Sequence, residues 1–204
     1  MTRLGFLAAR TFAQEAALAR MGLDLPEVLR RLAGRIALIG NARSLADGAY
    51  GAEIDRADLV VRINRAPMPA PASHGTRTDV LALAVRIDAP GLARLDPGLT
   101  LWMSHKRKRL PWHVARRPGF ALPPVDAFAR LRADLGAPPS TGLLMIDLLA
   151  RSPATQITLY GFDFFASRSL TGHRTAAEVP HDFPSEQAFV RALIIRDTRF
   201  TLRT

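Results

Sequence analysis

Short apolar runs alternate with other segments along most of the chain, a pattern that predicts buried strands separated by helices. The runs that predict strands are residues 35–40, 58–63, 78–84, 99–103, 156–160 and 199–202. The segments predicted to be helical in the second half of the chain are residues 125–134, 142–151 and 185–195. Strands that alternate with helices are typical of α/β proteins with a mostly parallel sheet flanked by helices. We therefore predict a single-domain α/β fold.

The first 34 residues are predicted to be helical. One apolar face recurs at three- and four-residue steps through Leu18, Met21, Leu25, Leu29 and Leu32. Asp24 is predicted to cap a second short helix inside this segment. We expect residues 1–34 to pack as a helical segment on a main domain that spans residues 35–204.

Composition narrows the classes of protein that the chain can represent. Its 204 residues include 28 lysines and arginines against 18 acids, for a formal net charge of +10, and no cysteine. The lack of cysteine excludes a disulfide scaffold, a thiol nucleophile and a cysteine-based zinc site. No apolar run approaches the length that spans a bilayer, and Arg10 interrupts the short apolar stretch at the start, which is too short for a signal-peptide core. We expect a cytoplasmic location.

The positive charge is dense in one acid-free stretch between Asp96 and Asp126. Its residues 102–117 include Lys106, Arg107, Lys108, Arg109, Arg116 and Arg117, interleaved with Trp102, His105, Trp112 and His113. We predict a loop or lid that contacts phosphate groups, acidic glycans or, peripherally, the inner face of an anionic membrane. A simple solvated loop is the alternative. Nucleic-acid binding is disfavoured because the chain has no helix-turn-helix or zinc-finger pattern.

Polar residues follow two predicted strands, at the end of the strand where α/β proteins bind ligands. Gly40 and Asn41 end the run at 35–40, and Asn64 ends the run at 58–63. Glycine lets a backbone approach a ligand closely, and an asparagine amide offers both donors and an acceptor. Neither segment matches a dinucleotide-binding or P-loop pattern. A plain strand-to-helix turn at Gly40 and simple strand termination by Asn64 are the alternatives.

A third segment, Ser140-Thr141-Gly142, follows two prolines and opens a predicted helix. Free backbone N–H groups and two hydroxyls at a helix N-terminus form an anion site, and Gly142 leaves room for a ligand. An ordinary N-cap by Ser140 explains the same residues equally well.

The last segment with candidate chemistry follows the strand predicted at 156–160. Gly161 and Phe162 lie at the end of that strand, and His173 and His181 come later, with Glu186 in the first turn of the next helix. Histidine titrates near neutral pH, so either histidine is a candidate general base, with a surface histidine as the alternative. The spacing of these residues matches no known metal-ligand pattern, so we predict no metal site.

Taken in order, these segments resemble the sialyltransferase family, glycosyltransferase family 29. The long first motif of that family is similar to residues 37–67, with GNARSL and VVRINRAP, and its continuation is similar to residues 75–78. The short second motif is similar to residues 139–162, and the final His-x4-Glu motif is similar to His181 and Glu186. The cysteines that link two of these motifs in secretory members are absent, so the chain resembles a short, bacterial-like member.

The resemblance implies a GT-A-like, Rossmann-type fold and an inverting, metal-independent transfer of sialic acid, or a related ulosonic acid such as Kdo, from a CMP-sugar donor. The acceptor would be a glycan or glycolipid, and no cofactor beyond the donor is expected. His181 would deprotonate the acceptor hydroxyl. The positions that would bind the donor are Asn41, Asn64, Ser140, Thr141, Gly142, Gly161, Phe162 and His173. A module of the same fold that binds a nucleotide or an anionic glycan without turnover is the alternative.

Overall fold

The computed structural model describes residues 1–164 and 180–203, and its strands form one seven-stranded sheet. The strands are β1 (Gly34–Ile39), β2 (Leu59–Ile63), β3 (Val80–Leu83), β4 (Leu99–Trp102), β5 (Phe120–Ala121), β6 (Ala154–Tyr160) and β7 (Phe200–Arg203). All neighbouring strands are parallel, in the order β5-β4-β3-β2-β1-β6-β7. The predicted α/β fold with a mostly parallel sheet is confirmed. The sequence pattern does not predict strand β5, because two residues are too few to produce a periodic pattern.

Helices flank this sheet. They are α1 (Arg3–Thr11), α2 (Glu15–Ala19), α3 (Leu25–Arg31), α4 (Gly51–Asp55), α5 (Pro71–His74), α6 (Ala89–Leu95), α7 (Trp112–Ala115), α8 (Asp126–Leu135), α9 (Thr141–Ala150) and α10 (Phe183–Arg196). The three helices predicted in the second half of the chain are α8, α9 and α10, with ends that differ by one or two residues. No helix in the described ranges is long and apolar enough to cross a membrane.

The N-terminal segment consists of three short helices. Asp24 caps α3 as predicted, because its Oδ1 accepts a hydrogen bond from the Glu27 N–H at 2.9 Å. The Leu23 N–H donates to the Phe120 carbonyl at 2.8 Å, which brings this segment beside strand β5. One buried apolar cluster contains residues of α1 and α2 together with residues of β3, β4 and β5.

Helix α9 packs on the opposite face of the sheet from α1 and α2, and every residue from Gly142 to Leu149 is buried. A helix that is apolar on all sides lies inside the core, which explains why α9 has no polar stripe apart from Asp147. The first residues of α9 are thereby fixed at the carboxyl edge of the sheet, the edge at which the parallel strands end.

The structure corrects the prediction that residues 102–117 form an aromatic-flanked lid. Trp102 is fully buried in strand β4, and the half-buried Trp112 packs against Phe6 with the ring centroids 5.1 Å apart. Arg107 is also buried, where it pairs with Glu15 and donates to the carbonyl oxygens of Trp102, Ser104 and Pro123. Both tryptophans and this arginine therefore stabilise the interior, because apolar area and satisfied donors lie inside rather than on a contact surface.

The strand order places a topological switch point between β1 and β6. From β1 the chain builds outward through β2, β3, β4 and β5, and it then returns to place β6 on the other side of β1. In open parallel sheets the crevice outside the carboxyl ends of strands at such a point is the usual ligand site. The residues after β1 and after β6, Asn41 and Phe162 among them, flank that crevice.

Candidate functional site

Ser140 begins the candidate site by capping helix α9. Its Oγ accepts a hydrogen bond from the Leu143 N–H at 3.1 Å, and its backbone has the extended conformation of an N-cap. Ser140 is thus an N-cap of the helix, as the alternative interpretation predicts. The cap leaves Thr141 and Gly142 at the first two helical positions, where a backbone N–H has no partner inside the helix. Those N–H groups and the positive end of the helix dipole favour an anion here.

Glu186 fixes Ser140 from a separate helix. The carboxylate belongs to the first turn of α10, is 3% exposed, and accepts from the Ser140 N–H and the Ser140 Oγ–H at 2.6 Å each. Burial raises the pKa of the Glu186 carboxyl, while the two hydrogen bonds from Ser140 act in the opposite direction. Asp182 starts α10 as its N-cap, since its Oδ1 accepts from the Ser185 N–H at 3.1 Å.

His181 lies beside the start of α9 with a defined ring orientation. Its Nδ1 is 2.8 Å from the carbonyl oxygen of Pro138, two residues before the cap of the helix. A carbonyl oxygen only accepts, so Nδ1 carries the hydrogen and Nε2 of the neutral ring is the free acceptor. Among the described residues Nε2 has no hydrogen-bond partner. The ring is therefore in the tautomer that can take a proton from a bound hydroxyl. The sequence does not predict the part that Pro138 plays, because a backbone carbonyl leaves no trace in side-chain pattern.

Asn64 joins three elements at the carboxyl edge. Its Oδ1 accepts from the Ala84 N–H at 2.9 Å, and its Nδ2 lies 3.4 Å from the Thr141 Oγ1. Its φ of 57° lies in the left-handed region, which asparagine tolerates better than most residues. Asn64 thus ends strand β2, in agreement with the alternative interpretation, and it also contacts the first residue of α9.

The Phe162 ring lies between two glycines. A Cβ on Gly142 would stand 2.8 Å from the ring, and one on Gly40 would stand 3.1 Å from it and 2.2 Å from the Gly161 carbonyl oxygen. Gly40 is therefore required for the close approach of β1 to the end of β6. The Gly161 carbonyl also accepts from the Ala42 N–H at 3.2 Å, which holds the two strand ends together.

Asn41 lies half-buried at the same strand end. Its side chain makes no hydrogen bond to any residue in the described ranges, so its amide donors and acceptor are available to a ligand in the crevice. His173, the remaining predicted position, lies outside the described residues. Across residues 1–164 and 180–203, no group of three or more His, Cys, Asp or Glu is placed to hold a metal ion.

The segment Gly75-Thr76-Arg77-Thr78 does not line the site, because it precedes strand β3 and so lies at the opposite edge of the sheet from the start of α9. The Asp55 carboxylate accepts from the Thr76 N–H, the Thr76 Oγ1–H and the Arg77 N–H at 3.0 to 3.2 Å. Burial acts to raise the pKa of Asp55, but these bonds from Thr76 and Arg77 outweigh it and hold that pKa below its ordinary value. Asp55 and this turn both lie in segments that resemble the long first motif and its continuation, and their mutual contact explains why such residues occur together.

The contacts assemble four distant segments into one site. Asn64 meets Thr141, Glu186 meets Ser140, His181 meets Pro138, and Phe162 meets Gly142. All these contacts lie at or beside the N-terminus of α9. The site combines a helix end that favours anions, the side-chain amides of Asn41 and Asn64, and a histidine whose Nε2 has no hydrogen-bond partner within residues 1–164 and 180–203. This set is suited to binding a charged donor and accepting a proton.

Comparison with known proteins relates this chain to sialyltransferases. Residues 22–85 match the family model of glycosyltransferase family 29 (sialyltransferase). Over 56 residues the chain is 45% identical to the Mus musculus CMP-N-acetylneuraminate-beta-galactosamide-alpha-2,3-sialyltransferase 1, an alignment that covers 26% of this chain and 17% of the mouse protein. The chain thus spans about a sixth of that relative's length.

Two solved structures share the fold over most of the chain. A mammalian sialyltransferase in complex with Gal-beta-1-3GalNAc-ortho-nitrophenol matches with a TM-score of 0.65 and 20% identity, over 91% of this chain and 76% of that one. The sialyltransferase CstII from Campylobacter jejuni, in complex with cytidine-5'-monophosphate, matches with a TM-score of 0.57 and 13% identity, over 82% and 79%. The predicted GT-A-like fold is confirmed by these matches. The family-model match contains Asn41 and Asn64 and ends before α9.

Proposed function

From the match of residues 22–85 to the model of glycosyltransferase family 29, we propose that the chain is a member of that family and that it transfers a sialic acid from a CMP-linked donor to a hydroxyl of a glycan or glycolipid acceptor. The observation that carries the proposal is the placement of His181 beside the start of α9, with Nδ1 held by the Pro138 carbonyl and Nε2 without a hydrogen-bond partner among the described residues. A base and an anion-binding helix end in one crevice are the two parts that this transfer requires. Both solved neighbours, crystallised with an acceptor disaccharide and with CMP, agree with such a pair of ligands.

The donor would lie across the carboxyl ends of β1, β2 and β6. We propose that Asn41 and Asn64 bind the nucleotide and that the Gly161–Phe162 turn lines the cytidine pocket. Ser140, Thr141 and Gly142 would hold the donor carboxylate or the ribose at the helix end, where the dipole favours negative charge. These roles follow the family resemblance, and they are supported by the helix end at Thr141 and by the amide of Asn41, which makes no hydrogen bond to a described residue.

The transfer step would proceed with inversion. The acceptor oxygen forms a bond to the anomeric carbon while the bond from that carbon to the phosphate oxygen breaks, and CMP leaves with the electron pair. The hydroxyl proton passes to Nε2 of His181, a transfer that typically contributes about 10²–10⁴-fold to the rate. Positive charge for the departing phosphate would come from protein groups, so we propose that the reaction needs no metal ion; loss of activity in EDTA, restored by a divalent cation, would contradict this.

The test compares His181→Ala with His113→Ala in the full chain. His113 is the matched control, since its Nε2 likewise lies 2.9 Å from a carbonyl oxygen, that of Ile87, and it is half-buried. We expect His181→Ala to lose about 10²–10⁴-fold in transfer rate with CMP binding retained, and His113→Ala to remain within a few-fold of wild type. Undiminished transfer by His181→Ala would remove the proposed base.

A ligand screen tests the donor class independently of turnover. Calorimetry with CMP, UMP, GMP and AMP should show a preference for CMP, and CMP-sialic acid and CMP-Kdo compared as donors would identify the transferred sugar. Equal affinity for the four nucleotides would contradict a CMP-sugar site. Tight CMP binding without transfer or donor hydrolysis across an acceptor panel would instead favour the binding module.

A further inference from the structure

Exposed cations without acidic partners gather at the carboxyl edge of the sheet. The loops that follow β2, β3 and β4, residues 64–70, 84–88 and 103–111, carry the exposed side chains Arg65, Arg86, Lys106, Lys108 and Arg109. None of these five makes an ion pair with any described residue. The single acid in the three loops is Asp88, which caps α6 by accepting from the Gly91 N–H. We call these three loops the cationic edge.

The amino edge of the same sheet is built differently. There an aspartate precedes each of β2, β3, β4 and β7, and each of these aspartates pairs with an arginine. The pairs are Arg35–Asp58, Arg77–Asp79, Arg117–Asp96 and Arg199–Asp197. Exposed arginines without an ion pair to a described residue, such as Arg94 and Arg116, also lie at the amino edge, but there they stand beside these Arg–Asp pairs. At the cationic edge none of the five exposed cations has such a pair, so their positive charge is not balanced by neighbouring aspartates.

Hydrogen bonds connect the cationic edge to the candidate site. Asn64, which contacts Thr141, also holds the Ala84 N–H, and Arg86 follows two residues later. The Arg86 Nε lies 3.4 Å from the Arg109 carbonyl oxygen, which joins the loops after β3 and β4. Neighbouring strands lie about 4.8 Å apart, so the loop after β4 is about 10 Å from the end of β2. A ligand that enters the site from this side passes over these cations.

His105 lies among the cations of this edge, and their charges affect its pKa. Its ring stacks on Phe128 with centroids 4.0 Å apart. Burial lowers the pKa of His105, and the charges of Lys106, Arg107, Arg132 and Arg109 lower it further. Of these four charges, Lys106 and Arg109 belong to the cationic edge and are exposed to a ligand.

We propose that the cationic edge binds the part of the acceptor distant from its reacting hydroxyl, and that the preferred acceptor carries a carboxylate or phosphate there. The inference rests on the proposed function, since it assigns the acceptor side of that same crevice. Unpaired surface cations steer and hold an anionic ligand, and they do so in a salt-dependent way. Neither the helix end at Thr141 nor His181 belongs to this surface, so acceptor charge would be recognised apart from donor binding and proton transfer.

The test uses two double variants and matched acceptors. Arg86→Gln/Arg109→Gln removes two charges from the cationic edge. Arg94→Gln/Arg116→Gln removes two exposed arginines that lie at the amino edge, in the last turn of α6 and directly after α7, and that make no ion pair with described residues. The acceptors are Gal-beta-1-3GalNAc carrying a nitrophenyl, a carboxyphenyl or a phosphate group at the reducing end, which separates a carboxylate from a phosphate source.

We expect wild type and the amino-edge variant to show a KM for the anionic acceptors about three- to tenfold below that for the nitrophenyl acceptor. The cationic-edge variant should lose this preference with kcat, the KM for the donor and the KM for the neutral acceptor within twofold of wild type. In wild type, the preference should shrink between 50 and 500 mM salt. A preference that survives Arg86→Gln/Arg109→Gln, or that is absent from wild type, would overturn the inference.

Two further measurements distinguish acceptor binding from membrane binding and from an inactive protein. The first measures binding to vesicles that contain phosphatidylglycerol. If this binding depends on Arg86 and Arg109 while their substitution leaves the acceptor KM values unchanged, the inference is overturned in favour of a membrane surface. Failure of the proposed function would give a different result: the wild type would neither transfer sugar to any acceptor nor hydrolyse the donor. Transfer to all acceptors without regard to charge would leave the proposed function intact and refute the cationic edge alone.

Discussion

Glu186 offers a sharp test of how the site is held together, because it is the contact from α10 to the cap of α9. Glu186→Ala deletes both hydrogen bonds to Ser140, at 2.6 Å each, and leaves the Ser140 N–H without its protein acceptor. Glu186→Gln keeps the shape, and its amide oxygen can still accept from that N–H. The two variants therefore separate the loss of the contact from the loss of the charge.

The magnitude follows from burial and from the number of bonds. A hydrogen bond to a charged group contributes a net ~1.5–3 kcal/mol, so two would contribute ~3–6 kcal/mol if they were independent. They share one carboxylate, and burying that carboxylate is itself costly, as the raised pKa of Glu186 indicates. We therefore expect about 3 kcal/mol of lost unfolding free energy for Glu186→Ala, at the low end of the range, and about 1 kcal/mol for Glu186→Gln.

The pH dependence has a definite sign. Because the pKa of Glu186 is raised by burial in the folded state, the folded protein holds this proton more tightly than the unfolded chain. The wild type should therefore be most stable relative to Glu186→Gln below the ordinary glutamate pKa of about 4.3. That margin should narrow as the pH rises through the raised pKa.

Urea unfolding followed by circular dichroism from pH 4 to pH 8, with CMP calorimetry, measures both effects. Glu27→Ala is the matched control, since Glu27 also lies in the first turn of a helix but pairs with surface arginines, for which we expect at most about 1 kcal/mol. Glu186→Ala should also weaken CMP binding about tenfold, because Ser140 starts the turn that we propose holds the donor. Stability and CMP affinity equal to those of Glu27→Ala would refute the reasoning.

Three further predictions concern single contacts. Gly142→Ala should displace the Phe162 ring, since the new Cβ would stand 2.8 Å from it, and should cost about 1–3 kcal/mol with weakened CMP binding by calorimetry; unchanged CMP affinity would contradict this packing. Asp55→Asn should destabilise the chain at neutral pH. Because the pKa of Asp55 is lowered in the folded protein, the difference in unfolding free energy between wild type and variant should shrink as the pH falls below about 4. Urea unfolding at several pH values would check this. Arg107→Leu should lower the unfolding free energy by about 3–5 kcal/mol, because its carboxylate partner and three carbonyl oxygens lose their donor; a thermal midpoint like that of wild type would show that this buried arginine is dispensable.

Sequence pattern predicts the sheet well because its cause is local. A buried parallel strand must be apolar over four to seven residues, and such runs are visible at β1, β2 and β6 without any knowledge of their neighbours. Glycine and asparagine at strand ends are local too, which is why the pattern leads to Asn64 and to the start of α9.

What the sequence could not predict depends on partners distant in the chain. Gly40 is required by the close approach of the Gly161 carbonyl, about 120 residues away in the sequence. Arg107 belongs to a visibly basic run, yet its burial depends on Glu15 in another helix. A charge pattern records residue types, and it does not record which of several adjacent cations finds a carboxylate inside the fold.

The contacts of the candidate site need no ligand to form. The hydrogen bonds from Asn64 to Thr141 and from Ser140 to Glu186 form within the protein itself, and Phe162 is fixed between Gly40 and Gly142. The ordering cost of these groups is met in folding, so a donor would meet a preorganised helix end. The exposed side chains of the cationic edge take no part in these contacts, and they lack acidic partners among the described residues. If the cationic edge binds the acceptor as proposed, substitution at Arg86 or Arg109 would change acceptor recognition without disturbing the groups that would bind the donor and move the proton.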